Sequence, residues 1–165
     1  MAKKREIGAH IVLDGEKEFK SAVTACNKSL ATMKSEMKLV AAQTEGNANS
    51  LDALQKKHTV LQNILEEQVK KEEAVRKALE HSEEDYQRVG NELAQYRSKL
   101  EAAQKALDEM EKSEESSSDA IEEQRKKVSD LADVVKKGEE TYQRAESRVQ
   151  NWRKSRNNAE AQPIP

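Results

Sequence analysis

One seven-residue pattern constrains this chain more than any other feature. With Leu51 at heptad position a and Leu54 at d, the a and d positions continue through His58, Leu61, Leu65, Gln68, Glu72, Val75, Leu79, Ser82, Tyr86, Val89, Leu93, Tyr96, Leu100, Ala103, Leu107 and Met110. Only His58, Gln68, Glu72 and Ser82 interrupt the apolar series. A repeat of 3.5 residues per turn, held over that length, predicts a helix that winds on partners in a left-handed supercoil. A helix gains too little from its own hydrogen bonds to stand alone, so the apolar stripe has to be covered. The expected fold class is all-α: an elongated coiled-coil rod of two or three long helices, with a short strand at the N-terminus.

The rest of the sequence agrees with a narrow stripe rather than a globular core. Of 165 residues, 35% are hydrophobic, 3% aromatic and 36% charged, while Gly numbers 5 and Pro 2. Few residues can therefore break a helix. The formal net charge of −2, with acids and bases intermixed, offers no strong field for DNA or for anionic lipid. Neither nucleic acid nor membrane is expected as a partner of this segment. The single cysteine excludes a disulfide framework or a cysteine-rich metal site. No apolar run reaches the ~18 residues of a membrane span. Lys3-Lys4-Arg5 before Ile7–Leu13 superficially suits a signal peptide, but His10 interrupts the run and Asp14-Gly15-Glu16 stands where small residues should be. The expectation is an unexported chain.

Taken in order, residues 1–15 alternate enough to suggest a short strand closed by a turn at Asp14-Gly15, or else a frayed tail. A first helix is expected over 16–45, opened by Glu16 and Glu18 near the positive end of its dipole. Phe19, Val23, Cys26, Leu30, Met33, Met37 and Val40 form its stripe, in the same heptad frame as Leu51. The Gly46–Ser50 stretch looks like a joint: Gly46 can end one helix and Asn49 or Ser50 can cap the next. The long helix over 50–112 would extend roughly 95 Å. Apolar residues flanking its seam, Ile64, Val69, Ala78 and Ala106, widen the stripe and favour more than two helices in a bundle, or a hairpin packed on neighbours.

Ser113–Asp119, with four serines, is the clearest break. Beyond it a third helix over 119–157 carries Ile121, Val128, Leu131, Val135, Tyr142, Ala145, Val149 and Trp152, again in frame, before a tail at 158–165. The shared frame favours one continuous seam, whereas the serine-rich loop favours a reversal. The chain's end after Arg156 suits a cut at a domain boundary.

Chemistry is sparse. His10, His58 and His81 are scattered, and a histidine in a seam sets register more often than it binds a metal. Cys26 has no neighbouring base in its stripe and reads as a structural thiol. No phosphate loop, pocket-held carboxylate pair, metal or cofactor motif is present, so no catalytic, cofactor-binding or metal residue is assigned and no enzyme activity is expected. The candidate functional residues are the seam itself, through which the chain would pair with its own copies.

The strings Arg5-Glu6-Ile7-Gly8-Ala9, Leu13-Asp14-Gly15-Glu16-Lys17-Glu18-Phe19, Met33-Lys34-Ser35-Glu36-Met37-Lys38-Leu39 and Ala48-Asn49-Ser50-Leu51 resemble the start of tail tape measure proteins of phages and prophages of Gram-positive bacteria. The resemblance covers about the first 60 residues. It implies a virion structural protein that acts as a helical ruler in the lumen of a long tail. It further implies assembly in the host cytoplasm, with tail tube proteins, tail-end proteins and tail assembly chaperones as partners. The residues alone equally suit a generic scaffold coiled coil. A membrane-associated helical hairpin would need a basic amphipathic helix, and none is present.

Overall fold

The computed structural model describes residues 16–113 and 117–161. Among these residues the protein is all-α, with α1 at Glu16–Gln43, α2 at Leu51–Lys112 and α3 at Ser118–Glu160, and no strand. The strand expected within residues 1–15 lies outside the described residues.

The helix starts follow from local chemistry. Ser50 accepts a hydrogen bond at its Oγ from the Ala53 amide at 3.2 Å, with Asp52 in the first turn of α2. Ser117 does the same for the Ala120 amide at 3.2 Å, with Asp119 in the first turn of α3. Each serine satisfies one of the amides that a helix start leaves without an intrahelical partner. α1 ends two residues before the expected limit, in turns through Thr44–Ser50. There Thr44 is buried and its hydroxyl donates to the Val40 carbonyl at 2.7 Å. α3 runs three residues past the expected Arg156–Asn157 end. Two asparagines cost a helix only a few tenths of a kcal/mol each, and the Arg156–Glu160 pair at 3.6 Å spans that extra turn.

The chain divides into two compact units, one built from 15–81 and 149–165, the other mainly from 82–148. In the first, α1 runs antiparallel to the opening half of α2. Leu30 packs with Val60 and Ile64, and Met33, Met37 and Val40 close over them. The Phe19 ring lies 5.7 Å from His81 at the far end. Val75, Ala78, Leu79, Val149 and Trp152 are buried in the same unit.

In the second unit, the later half of α2 runs antiparallel to α3. Arg97 pairs with Glu139 at 2.7 Å, Gln124 donates to the Ala103 carbonyl at 2.8 Å, and Arg125 pairs with Glu111 at 2.6 Å. Val89, Leu93, Ala103, Leu131, Val135 and Ala145 form its buried apolar residues.

Both joints are therefore reversals, and the shared heptad frame across them does not mean a common axis. The physical reason is visible in α2. α1 packs on the c and g positions Val60 and Ile64 of its opening half, not on Leu51, Leu54 or Leu65, which are exposed. A stripe packs on whichever apolar face meets it, so phase counted through a turning loop carries no information about direction.

Candidate functional site: the packed seams and a buried polar layer

The seam residues fall into three groups. Leu30, Val75, Leu79, Val89, Leu93, Leu131, Val135, Val149 and Trp152 are buried within the chain. Phe19, Val23, Cys26, Met33, Met37, Val40, Leu61, Tyr86, Tyr96, Leu100, Leu107, Met110, Ile121, Val128 and Tyr142 are half-buried. Leu51, Leu54 and Leu65 are exposed. The chain thus covers most of its own stripe by folding back, and leaves one stretch of it bare.

The densest polar arrangement lies where α2 and α3 pair. Asp85 and Arg148 are both buried, with side chains 8% and 6% exposed, and Arg148 Nη1 stands 3.4 Å from Asp85 Oδ2. Arg88 Nη2 donates to the other Asp85 oxygen at 2.8 Å, and its Nη1 reaches Glu92 Oε1 at 3.4 Å. Asp85 therefore sits between two guanidinium groups. A charge taken out of water is tolerable only with such compensation. The Asp85 and Glu92 carboxylates hold the Arg88 guanidinium above its ordinary range, their hydrogen bonds outweighing a small burial cost.

Beside it, Tyr86 and Tyr142 stack with centroids 4.7 Å apart, and one hydroxyl donates to the other at 2.5 Å. That hydrogen bond, and then burial, push the Tyr86 phenol above its usual 10.0. Gly90 makes room for the pair: a Cβ there would lie 3.1 Å from Cε2 of Tyr142. Ser82 and Thr141 are also buried, Thr141 donating to the Lys137 carbonyl at 2.9 Å.

In the other unit, Cys26 is half-buried beside Glu67, which accepts a hydrogen bond from the thiol. Burial first, then that bond and the carboxylate's charge, raise the thiol above 9.0. A thiol held protonated is a poor nucleophile at neutral pH. Among the described residues no group of three or more His, Cys, Asp or Glu side chains could hold a metal ion. No described helix is long and apolar enough to cross a membrane.

Sequence reasoning placed Tyr86 and Tyr142 in the seam but did not bring them together. It missed Asp85 and Arg148, which lie outside the apolar stripe. The usable signal was a geometric one. Both occupy g positions, and a turn at the serine-rich loop puts g residues of the two arms opposite each other. What the arrangement can do is fix pairing: opposite charges and a tyrosine pair lock the register of two helices. No family model matches this chain, and neither a curated protein nor a solved structure is similar to it.

Proposed function

We propose that this chain is a structural helical segment without catalytic chemistry, and that it belongs to a phage tail tape measure protein. The observation that carries the structural reading is the use of side chains: among the described residues, apolar groups and a buried charge layer are spent on helix–helix pairing. The tape measure reading rests on the resemblance of the first 60 or so residues. In that role the segment lies in the tail lumen, is assembled in the host cytoplasm, and meets tube, tail-end and chaperone proteins. A surface of intermixed charge, net −2, suits passage along a narrow tube.

Chain reversal alters how such a segment would measure length. Helices laid end to end add 1.5 Å per residue, whereas two antiparallel arms share the same axial span. Removing one heptad from α2 and the facing heptad from α3 in the parent protein keeps both seams in register. The expected result is a tail shorter by ~10 Å, against ~20 Å for arms placed end to end. Tails of unchanged length in electron micrographs would dismiss the ruler role.

The bare stretch at Leu51, Leu54 and Leu65 favours a second reading, a scaffold coiled coil that recruits a helical partner without measuring anything. Placement of the coding sequence beside tail tube genes supports the first reading; its absence supports the second. A membrane-remodelling hairpin predicts co-sedimentation with anionic liposomes. On the proposed function the chain stays in the supernatant.

A further inference from the structure

Two of the chain's 3 tyrosines meet across the α2–α3 seam. Tyr86 and Tyr142 are 56 residues apart in sequence, yet their rings stack at 24° with centroids 4.7 Å apart, and their oxygens are 2.5 Å apart. Because the oxygens stand closer than the centres, the rings converge at their phenol ends. The ring carbons beside each oxygen therefore come closer together than the centres do. Both residues are half-buried, so packing holds them while part of each stays open to solvent. Tyr96, the third tyrosine, carries Lys99 over its ring at 4.9 Å. It stands roughly 15 Å along α2 from Tyr86, beyond bonding reach of the pair.

We propose that Tyr86 and Tyr142 form an oxidative cross-linking site, at which a haem peroxidase with hydrogen peroxide joins the two rings as dityrosine and staples α2 to α3. Each tyrosine loses one electron and its phenol proton, becoming a phenoxyl radical whose unpaired electron is shared between the oxygen and the ortho and para ring carbons. The para carbon bears the side chain, so the two radicals join through one new bond between ortho carbons, the Cε atoms. The hydrogen on each joined carbon then moves to the oxygen, restoring two phenols. Two electrons and two protons leave in all, and one hydrogen peroxide takes them up as it becomes two waters. Radicals on separate chains must find each other by diffusion, whereas this fold holds the reacting carbons side by side, which turns a bimolecular step into an intramolecular one. Gly90 leaves the space in which the Tyr142 ring lies, and the Asp85–Arg148 contact holds the same two arms together. The product closes a loop from residue 86 to residue 142 and removes freedom from the unfolded chain, as a disulfide does. The inference does not depend on the tail assignment.

The test treats the full 165-residue chain, dilute, with a haem peroxidase and limiting hydrogen peroxide, under conditions that couple free N-acetyltyrosine. The expected product runs as a monomer on a denaturing gel, is lighter by two hydrogens, shows the blue fluorescence of dityrosine, and yields on digestion one cross-linked peptide pair carrying positions 86 and 142. Tyr86→Phe and Tyr142→Phe should each lose that product while keeping the parent's helix content by circular dichroism; Tyr96→Phe should retain it. Gly90→Leu keeps all three tyrosines but displaces the Tyr142 ring, so its yield should fall by fivefold or more. A monomer of unchanged mass, chain-to-chain dimers as the only coupled product, or intramolecular coupling that survives Tyr142→Phe would each overturn the proposal.

Discussion

Replacing Asp85 by leucine should destabilise the α2–α3 pair more than replacing Arg148 by methionine, although the two side chains face each other. Both are buried, so solvent screens the interaction little. Removing one member of a buried pair typically costs ~3–5 kcal/mol, because the other charge keeps its desolvation cost and loses its compensation. The 3.4 Å separation is long for a charge-assisted bond, which places this pair at or below the lower end of that range. The two partners are not equivalent. Without Arg148, Asp85 retains the shorter 2.8 Å bond from Arg88, so Arg148→Met should cost only ~1–2 kcal/mol. Without Asp85, Arg148 loses the carboxylate it faces and Arg88 loses its closest acceptor, for a cost of ~3 kcal/mol. The double variant should recover most of that loss, since two apolar side chains of similar volume fill the space without desolvating charge. Urea unfolding followed by circular dichroism resolves these differences: at a slope of ~2 kcal/mol per molar, ~3 kcal/mol moves the midpoint by ~1.5 M. Equal losses for the two single variants, or strict additivity in the double, would refute the view of Asp85 as a carboxylate shared between two guanidinium groups.

Ile64→Ala should cost ~2–4 kcal/mol because its side chain is fully buried against Leu30 and Val60, whereas Leu65→Ala, 46% exposed, should change monomer stability by under ~1 kcal/mol in the same unfolding assay. Gly90→Ala should be close to neutral, the ~1 kcal/mol gain in helix propensity offsetting the 3.1 Å approach to the Tyr142 ring; Gly90→Leu, too large to be accommodated by a small shift, should lower the melting temperature and break the tyrosine stack seen by near-ultraviolet circular dichroism. The raised Tyr86 phenol fixes the sign of an alkaline effect: the protonated form is favoured in the folded chain, so its contribution is complete below the ordinary value of 10.0 and is lost as pH rises through the higher folded value. Tyr142→Phe removes the larger cause and leaves burial, so it should reduce that alkaline dependence, as measured by stability between about pH 8 and 12. Cys26, its thiol raised by burial and by Glu67, should react with a disulfide reagent at neutral pH more slowly than a free thiol, and urea should restore the ordinary rate.

Much of the fold was legible because helix and stripe are local properties. Ser50 as the cap of α2, Glu16 and Glu18 in the first turn of α1, and the break at the serine-rich loop all follow from neighbouring residues. Direction was not legible, because a reversal conserves every local signal that a straight continuation has. Phase agreement between Val23 and Leu51 looked informative and was not, since α1 packs on Val60 and Ile64 rather than on the a and d positions of α2. The candidate site was legible only in its apolar part. Asp85 and Arg148 are separated by 63 residues, and nothing near either one in sequence distinguishes it from the solvated charges around it. Only once the reversal is known does their common g position pair them.

That dependence suggests what the polar layer does. A stripe built from Leu, Val and Ala is degenerate: sliding one arm by a heptad exchanges one apolar contact for another at little cost. Charged and aromatic partners remove that degeneracy, because a seven-residue shift would carry Arg148 ~10 Å from Asp85 and part the Tyr86–Tyr142 stack. Either shift would bring Thr141 or Ser155 to the place of Arg148, so Asp85 would keep Arg88 but lose its second guanidinium, at a cost of about 1–2 kcal/mol. The layer thus contributes to uniqueness more than to net stability, which is why the double apolar variant should be nearly as stable as the parent yet less well defined. Broader amide resonances in the arms of that variant, at an unchanged urea midpoint, are the expected sign of register exchange. Sharp resonances identical to those of the parent would show that the apolar residues alone suffice to choose the register.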